Sequence, residues 1–199
     1  MPAPATADVI VAADGAAHEI AGLAPLARTA SVSGPAATCR CAPQDNLALH
    51  RLLSHAPAGA VLVCEAGGRR DRGHFGELMA LDALNRGLRG LVIDGSVRDG
   101  AALLSLDFPV FHLGFAPEPC VKSEAPSVGE PVELGGVLVS PGDQIVADCD
   151  AVLVIPQDLW PDVEVRAREI QAREAVIRAA LAEGQQLAEL IELPREGQS

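Results

Sequence analysis

The sequence predicts an α/β protein in which a layered sheet is flanked by helices. Between residues 37 and 112, short apolar segments alternate with segments whose leucines recur at three- and four-residue steps. This alternation is typical of parallel strands joined by helices. Between residues 120 and 155 the strand-like segments follow one another closely, which predicts an added β layer.

The individual elements follow from apolar runs and from the turn residues between them. In the alternating region, strands are predicted at residues 37–41, 60–64, 91–94 and 109–112. Helices are predicted at residues 46–55 (capped by Asp45 or Asn46), 75–86 and 96–105. Further strands are predicted at residues 137–139, 144–147 and 151–155.

The two ends of the chain are less periodic. Residues 1–33 are rich in alanine, and residues 8–12 (DVIVA) are interpreted as a short strand. A long helix begins at Pro161, a proline in the favoured first position, and runs to about residue 183 within a C-terminal helical segment at 161–193. With no convincing boundary inside it, the sequence of residues 1–199 is interpreted as a single domain.

Composition excludes several classes of function. The chain has 199 residues and a net charge of −12, which argues against a nucleic-acid surface, because such surfaces need clustered lysine and arginine. Aromatic residues make up only 3%, so a base-stacking platform is not expected. The longest apolar runs fall short of the ~18 residues of a membrane span. The N-terminus lacks the pattern of a secretory signal, and we expect a cytoplasmic protein.

Five scattered cysteines favour reduced, mostly buried thiols rather than a disulfide framework. Cys39 and Cys41 have the spacing that places two side chains on one face of a strand. Without a second ligand pair, that spacing is a weak signal for zinc.

The first candidate site is the segment 94–99 (DGSVRD), where a buried strand is predicted to end and a helix to begin. Ligands of α/β sheets usually bind at such strand ends. Arg98 offers a bidentate fork for an anion, and Asp99 offers oxygen to a hard divalent cation. The alternative is structural: Ser96 and Asp99 have the spacing of a capping box, with Arg98 in solvent.

Two further acids are candidates. Glu77 opens a helix after a glycine-rich loop, so the amides of Leu78 and Met79 can face an anion, although an acid there also simply favours the helix dipole. Glu174 interrupts an apolar stripe on the C-terminal helix. An acid on a buried face needs a partner, which we expect to be either an arginine of a neighbouring element or another subunit.

Two weaker signals are interpreted structurally. The segment 67–70 (GGRR) lacks the ending of a phosphate-binding P-loop and is expected to be a connection. His112, at the end of a predicted strand, is expected to be a satisfied core histidine rather than a ligand or a base.

Four segments in order resemble one known family: GPAATCRCAPQDNLALHRLL, GAVLVCEAGG, FGELMALDALNRGLRGLVIDGSVRD and LGGVLVSPGDQIVADCDAVLVIP. This family contains the class II 4-hydroxy-4-methyl-2-oxoglutarate aldolases and the proteins named regulator of ribonuclease activity A. The resemblance covers residues 34–156, whereas residues 1–33 diverge. It implies a swivelling β/β/α fold, assembly into trimers or pairs of trimers, and active sites between subunits.

The resemblance also implies roles for single residues. Asp99 would bind Mg²⁺ or Mn²⁺ directly, and Arg98 would hold the oxygen of a pyruvyl group. The amides of Leu78 and Met79 would hold the substrate carboxylate. Glu77 would contact the metal through water. These roles make Arg98 and Glu77 the catalytic candidates.

Glu174 would contact the metal of a neighbouring subunit through water.

Two departures from the aldolase pattern stand out: Glu77 replaces the usual aspartate, and Ala102 replaces an acid. Loss of such an outer partner often costs 10–100-fold in metal affinity.

The sequence therefore favours a divalent-metal-dependent lyase that cleaves a C–C bond of a small 2-oxo acid and releases pyruvate, as an aldolase or an oxaloacetate decarboxylase. The alternative is a non-catalytic protein that binds and regulates a ribonuclease. The −12 charge suits docking on a basic partner.

Overall fold

The computed structural model describes residues 3–191, which form six helices and thirteen strands. The helices are α1 (Thr6–Ala13), α2 (Leu47–His55), α3 (Glu77–Asn85), α4 (Gly100–Ser105), α5 (Trp160–Ala182) and α6 (Leu187–Leu190). The strands are β1 (His18–Glu19), β2 (Ala24–Pro25), β3 (Val32–Arg40), β4 (Val61–Glu65), β5 (Gly90–Ile93), β6 (Ser96–Val97), β7 (Val110–His112), β8 (Gly114–Phe115), β9 (Ser127–Val128), β10 (Val132–Leu134), β11 (Val137–Val139), β12 (Gln144–Ala147) and β13 (Val152–Ile155).

A nine-stranded mixed sheet runs through the centre of the molecule in the order β1-β13-β12-β3-β4-β5-β7-β2, with β9 added to β3. Strands β3, β4, β5 and β7 are parallel, whereas β12, β13 and β1 continue the sheet in antiparallel pairs. The predicted α/β class is confirmed, but the predicted added β layer is confirmed only in part, because β12 and β13 extend the main sheet rather than forming a second one. The small hairpin of β10 and β11 forms a separate two-stranded sheet.

Apolar side chains alternate between the two faces of this sheet. On one face, Leu62 and Ile93 pack in a core that also contains residues of α2 and α3. On the other face, Val61 and Phe111 pack in a core that contains Leu134 of the β10–β11 hairpin. A third core joins the antiparallel end of the sheet to α1 and α5. Burial on both faces explains why the parallel strands are continuous apolar runs.

Three predicted elements are wrong in kind or in extent. Residues 8–12 lie in helix α1 rather than in a strand, because Val9 and Ala13 share a helix face that packs in the core with α5. The predicted helix 96–105 begins only at Gly100, since Ser96 and Val97 form β6 and pair with β8.

The long helix predicted at residues 161–183 is confirmed as α5, but the C-terminal segment 161–193 is not one helix throughout. Helix α5 ends at Ala182, a turn with Gly184 at φ +90° follows, and α6 covers only Leu187–Leu190. A glycine at positive φ is a common way to end a helix. Residues 192–193 of the predicted segment lie outside the described residues.

Within residues 3–191, no helix has both the length and the apolar character that a bilayer crossing needs.

Candidate active site

A cleft of about 200 Å³ lies where the start of α3 faces the turn between β6 and α4, and the segment 119–122 forms another wall. Gly76, Leu78 and Met79 contribute from α3, while Arg98 and Asp99 contribute from the turn. Four of the residues that the sequence singles out therefore share one cleft.

Asp99 has a left-handed backbone, with φ at +59°, and its carboxylate turns away from its own helix towards α3. Its Oδ2 atom accepts the backbone N–H of Glu77 at 3.3 Å and lies 3.5 Å from Nε of Arg98. Neither hydrogen bond expected of a capping box is present among the described residues. The side chain of Asp99 accepts no amide of α4, and the buried hydroxyl of Ser96 has no hydrogen-bond partner. The capping-box interpretation is therefore wrong.

Arg98 is held by its backbone and by the close approach of two glycines. Its N–H donates to the carbonyl of Phe75 at 2.9 Å. A methyl group at Gly73 would lie 2.8 Å from Cβ of Arg98, and one at Gly76 would lie 3.1 Å from its Cγ. The side chains of Arg98 and Asp99 are 40% and 41% exposed. The guanidinium therefore reaches the open part of the cleft, where it can meet a ligand.

The first turn of α3 borders the cleft, but the two predicted donors, the amides of Leu78 and Met79, are not equally available. The amide of Glu77 is used by Asp99, and the amide of Met79 donates to the carbonyl of Gly76 at 3.1 Å. Leu78 occupies the second helical position, where an α-helix offers no internal acceptor. The Glu77 side chain is exposed and lies outside the residues that line the cleft.

Sequence reasoning missed several residues of the cleft. His50 and Lys122 line it, and so do the buried Asn46 and His74. Within the described residues, Oδ1 of Asn46 and Nε2 of His74 have no hydrogen-bond partner. Burial, followed by the charge of Lys122, lowers the pKa of His50. In the sequence, His50 lies within a predicted helix but carries no further signal of a site. Lys122 lies in an irregular segment that has no pattern from which a site could be predicted.

The wall that carries Lys122 is tied down by Asp45. Its Oδ2 atom accepts the amides of Ser123 at 2.6 Å and Glu124 at 2.9 Å, while Oδ1 caps α2 through Leu47 at 2.7 Å. Burial acts to raise the pKa of Asp45, but these three donors together outweigh it and lower the pKa. Asn46, the second of the two predicted candidates, is the N-cap residue of α2, whereas Asp45 accepts the first amide of the helix and anchors the cleft wall.

Asp45→Ala is expected to lower the free energy of unfolding by about 3 kcal/mol, because it leaves several amides that now bond a buried carboxylate without a partner. Urea unfolding at pH 7 measures the change. Asp71→Ala is the matched control, since the Asp71–Arg69 pair is exposed and we expect a change below about 1 kcal/mol. Equal losses in the two variants would contradict the anchoring role.

Asp94 ties the glycine-rich loop to the end of β5. Its Oδ1 accepts the amide of Ala66, and Oδ2 accepts the amide of Gly68 at 3.1 Å. Burial raises the pKa of Asp94 to about 6, even though both amides act against the shift. Since Asp94 accepts the amide of Gly68, this amide of the segment 67–70 is not available to a phosphate group.

The raised pKa of Asp94 predicts a dependence of stability on pH. Between about pH 4 and pH 6 the folded protein binds more protons at this site than the unfolded chain, so its contribution to stability falls as pH rises through this window. The wild type should lose about 2 kcal/mol relative to Asp94→Asn between pH 4 and pH 7. Urea unfolding of both proteins at the two pH values measures it, and a constant difference would contradict the shift.

His112 and Glu174 lie elsewhere. His112 is buried, its Nδ1 lies 2.9 Å from the carbonyl of Gly114, and its ring meets Phe115 edge-on, as expected of a core histidine. Glu174 is exposed in the single chain and pairs with Arg178 of its own helix at 2.9 Å. The expectation of a buried acid with a partner on a neighbouring element is therefore wrong for the single chain, because the covered part of α5 consists of Val163 and Ala167.

Comparison with known proteins agrees with this fold. A protein of Halalkalibacterium halodurans named "Putative 4-hydroxy-4-methyl-2-oxoglutarate aldolase" is 34% identical over 172 residues, which are 86% of this chain and 82% of the relative. The solved structure of Streptomyces coelicolor RraAS2, described as an unusual member of the RNase ES inhibitor RraA protein family, matches with a TM-score of 0.77 at 29% identity, covering 87% of this chain and 91% of that one. The RNA-processing inhibitor RraA from Thermus thermophilis matches with a TM-score of 0.70 at 28% identity, covering 79% and 94%.

The mixed sheet and its cleft define an α/β protein with an acid and an arginine at the end of a parallel strand. Residues 6–154 match the family described as "RraA-like: Aldolase/RraA", and the chain belongs to this family. The resemblance read from the sequence is thereby confirmed. Its relatives include one named a putative aldolase and others named inhibitors of an RNase or of RNA processing.

Proposed function

We propose that the protein is a divalent-metal-dependent lyase that cleaves a C–C bond of a small 2-oxo acid and releases pyruvate. The proposed lyase is of the 4-hydroxy-4-methyl-2-oxoglutarate aldolase type or of the oxaloacetate decarboxylase type. The observation that carries the proposal is that Arg98, Asp99 and Lys122 line one cleft. Two positive charges and one negative charge in a protein of net charge −12 create a local site for an anion.

The donors at Asp99 fit Mg²⁺ or Mn²⁺. These ions prefer oxygen ligands, and Mg²⁺ is commonly held by one or two carboxylates with water in the remaining positions. The carboxylate of Asp99 is 41% exposed, and its protein partners lie at 3.3 Å and 3.5 Å, so it is free to coordinate. When bound, such an ion acts as a Lewis acid that polarises the 2-oxo group.

The residues of the chain perform the remaining steps. Arg98 binds the 2-oxo oxygen and stabilises the negative charge that develops there as the enolate forms. The amide of Leu78 and the first turn of α3 orient the substrate carboxylate, and Lys122 faces its distal carboxylate. Glu77, next to the cleft, holds a water molecule for proton transfer. Aldol cleavage and decarboxylation of oxaloacetate share this enolate, so one site serves both.

We also propose that the chain acts as a trimer or a hexamer in which Glu174 approaches the cleft of a neighbouring subunit. The second half of α5 supports this, because Val176 is 70% exposed and Leu181 is 38% exposed. Light scattering of the purified protein measures the assembly, and a monomer of 20.5 kDa would contradict it.

Pyruvate release, coupled to NADH oxidation by lactate dehydrogenase, tests the function. The substrates are oxaloacetate and 4-hydroxy-4-methyl-2-oxoglutarate, assayed with Mg²⁺ or Mn²⁺ and then with EDTA. Oxaloacetate loses CO₂ with metal alone, so each reaction needs a blank without protein. Turnover that EDTA abolishes supports the lyase, and no turnover above the blank contradicts it for these substrates.

The second candidate is a protein-binding regulator without chemistry of its own. Ala102 favours it, because this position lacks the acid that aldolases carry, and relatives at 28–29% identity are named RNA-processing or RNase inhibitors. Inhibition of a ribonuclease by a protein that gives no turnover and retains no metal would favour this candidate over the lyase.

A further inference from the structure

Three cysteines from two neighbouring strands converge in the core. Cys39 of β3 lies opposite Cys64 of β4 in the parallel register, and Cys41 lies two residues further along the same face. The Sγ atoms of the three residues all lie within 4.8 Å of one another, and those of Cys41 and Cys64 are 3.5 Å apart. This is the Cys39-x-Cys41 pair of the sequence, now joined by a third thiol that its spacing did not reveal.

The environment of this trio, Cys39, Cys41 and Cys64, is nearly dry. Cys39 and Cys64 are fully buried, and Cys41, at 8% exposure, is buried too. Phe75 and Met79, which line the cleft described above, belong to the same core cluster as the trio. The trio therefore lies in the core behind that cleft, and Cys41 is its least buried member.

We propose that Cys39, Cys41 and Cys64 bind one Cu(I) ion through three sulfur atoms. Thiolates are soft ligands and select Cu(I) or Zn²⁺ over Mg²⁺ and Mn²⁺. For metal–sulfur bonds of about 2.3 Å, a trigonal ion places its sulfurs about 4 Å apart. The observed separations, from 3.5 Å to at most 4.8 Å, need only side-chain adjustments to reach that value.

The number of ligands favours Cu(I) over zinc. Structural zinc sites take four protein ligands, whereas within residues 3–191 this cluster of histidine, cysteine and acidic ligand atoms contains only the three sulfurs. Binding transfers no electrons: thiol protons leave to solvent as the ion bonds to the sulfurs, so affinity rises with pH. This site is separate from Asp99 and does not depend on the proposed lyase activity.

The test is an anaerobic titration of the full chain with Cu(I) against a chromogenic Cu(I) chelator, with a phosphine as reductant. We expect one ion per chain for the wild type and at least about 100-fold weaker binding for Cys41→Ala. Cys149→Ala is the matched control, since that thiol is exposed and outside the trio, and Asp99→Ala is the control for the cleft. Both should bind Cu(I) as the wild type does.

X-ray absorption of the loaded wild type tests the site without a substitution in the core. Three sulfur neighbours at about 2.3 Å would support the proposal. Two sulfurs, binding unchanged in Cys41→Ala, or no retention against the chelator would overturn it. Displacement of Cu(I) by equimolar Zn²⁺ would also overturn the choice of ion.

Discussion

Asp99→Asn is expected to reduce the metal-dependent kcat/KM for pyruvate release by about 10³-fold or more. The substitution keeps the shape of the side chain and suits the left-handed backbone, but it removes the charge that we propose binds the cation. Since metal polarisation of a carbonyl contributes several kcal/mol to the transition state, its loss has an effect of this size. The coupled assay at saturating Mn²⁺ measures it, and Asp99→Ala should behave alike.

Asp107→Asn is the matched control for this prediction. Asp107 is an exposed acid just after α4 and lies outside the cleft, so its replacement should leave activity within about twofold. If Asp99→Asn unfolds at the same temperature as the wild type, its loss of activity does not result from a loss of folded protein. Activity retained in Asp99→Asn would remove Asp99 from the metal site.

Gly76→Ala is expected to reduce kcat/KM by about 100-fold with the protein still folded. The φ of Gly76 is −153°, an extended conformation that alanine adopts without strain. The added methyl group, however, would lie 2.5 Å from Oδ2 of Asp99 and 3.1 Å from Cγ of Arg98. Both side chains must move, and a displacement of about 1 Å in an active site can cost 10²-fold.

Gly22→Ala separates activity from stability in this experiment. Gly22 has φ +84° with open space around its Cα, so alanine there costs about 1 kcal/mol of backbone strain without touching the cleft. We expect a lower unfolding temperature and unchanged turnover, the reverse of Gly76→Ala. If Gly76→Ala keeps full activity, the glycine does not make room for the Asp99–Arg98 pair.

The parallel half of the fold was predictable because each of its strands is buried on both faces and therefore stands out as an apolar run. The run at 8–12 misled the prediction, since the four apolar residues that follow Asp8 fit a strand and a helix face equally well until α5 is in place. The helix predicted from residue 96 failed for a similar reason: only pairing with β8 reveals that Ser96 and Val97 are extended.

The candidate site was predictable where its residues are contiguous. Arg98 and Asp99 follow a strand end, a position with a general meaning in α/β sheets. Lys122 and His50 line the same cleft but come from segments distant in sequence. No local sequence pattern shows that these segments lie close together in the fold. Glu174 stood out by interrupting an apolar stripe, but the stripe is covered only in its first half in the single chain, so the proposed role of Glu174 depends on an assembly that one sequence does not reveal.

The left-handed backbone of Asp99 bears on how this fold evolves. Glycine and asparagine occupy that conformation at least as easily as aspartate, so losing the acid need not cost folding stability. A lineage can therefore lose the proposed chemistry by one substitution and still keep an intact scaffold, with its surfaces available for binding. That drift offers a physical route by which a single fold came to be known both for aldolases and for inhibitors of RNA processing.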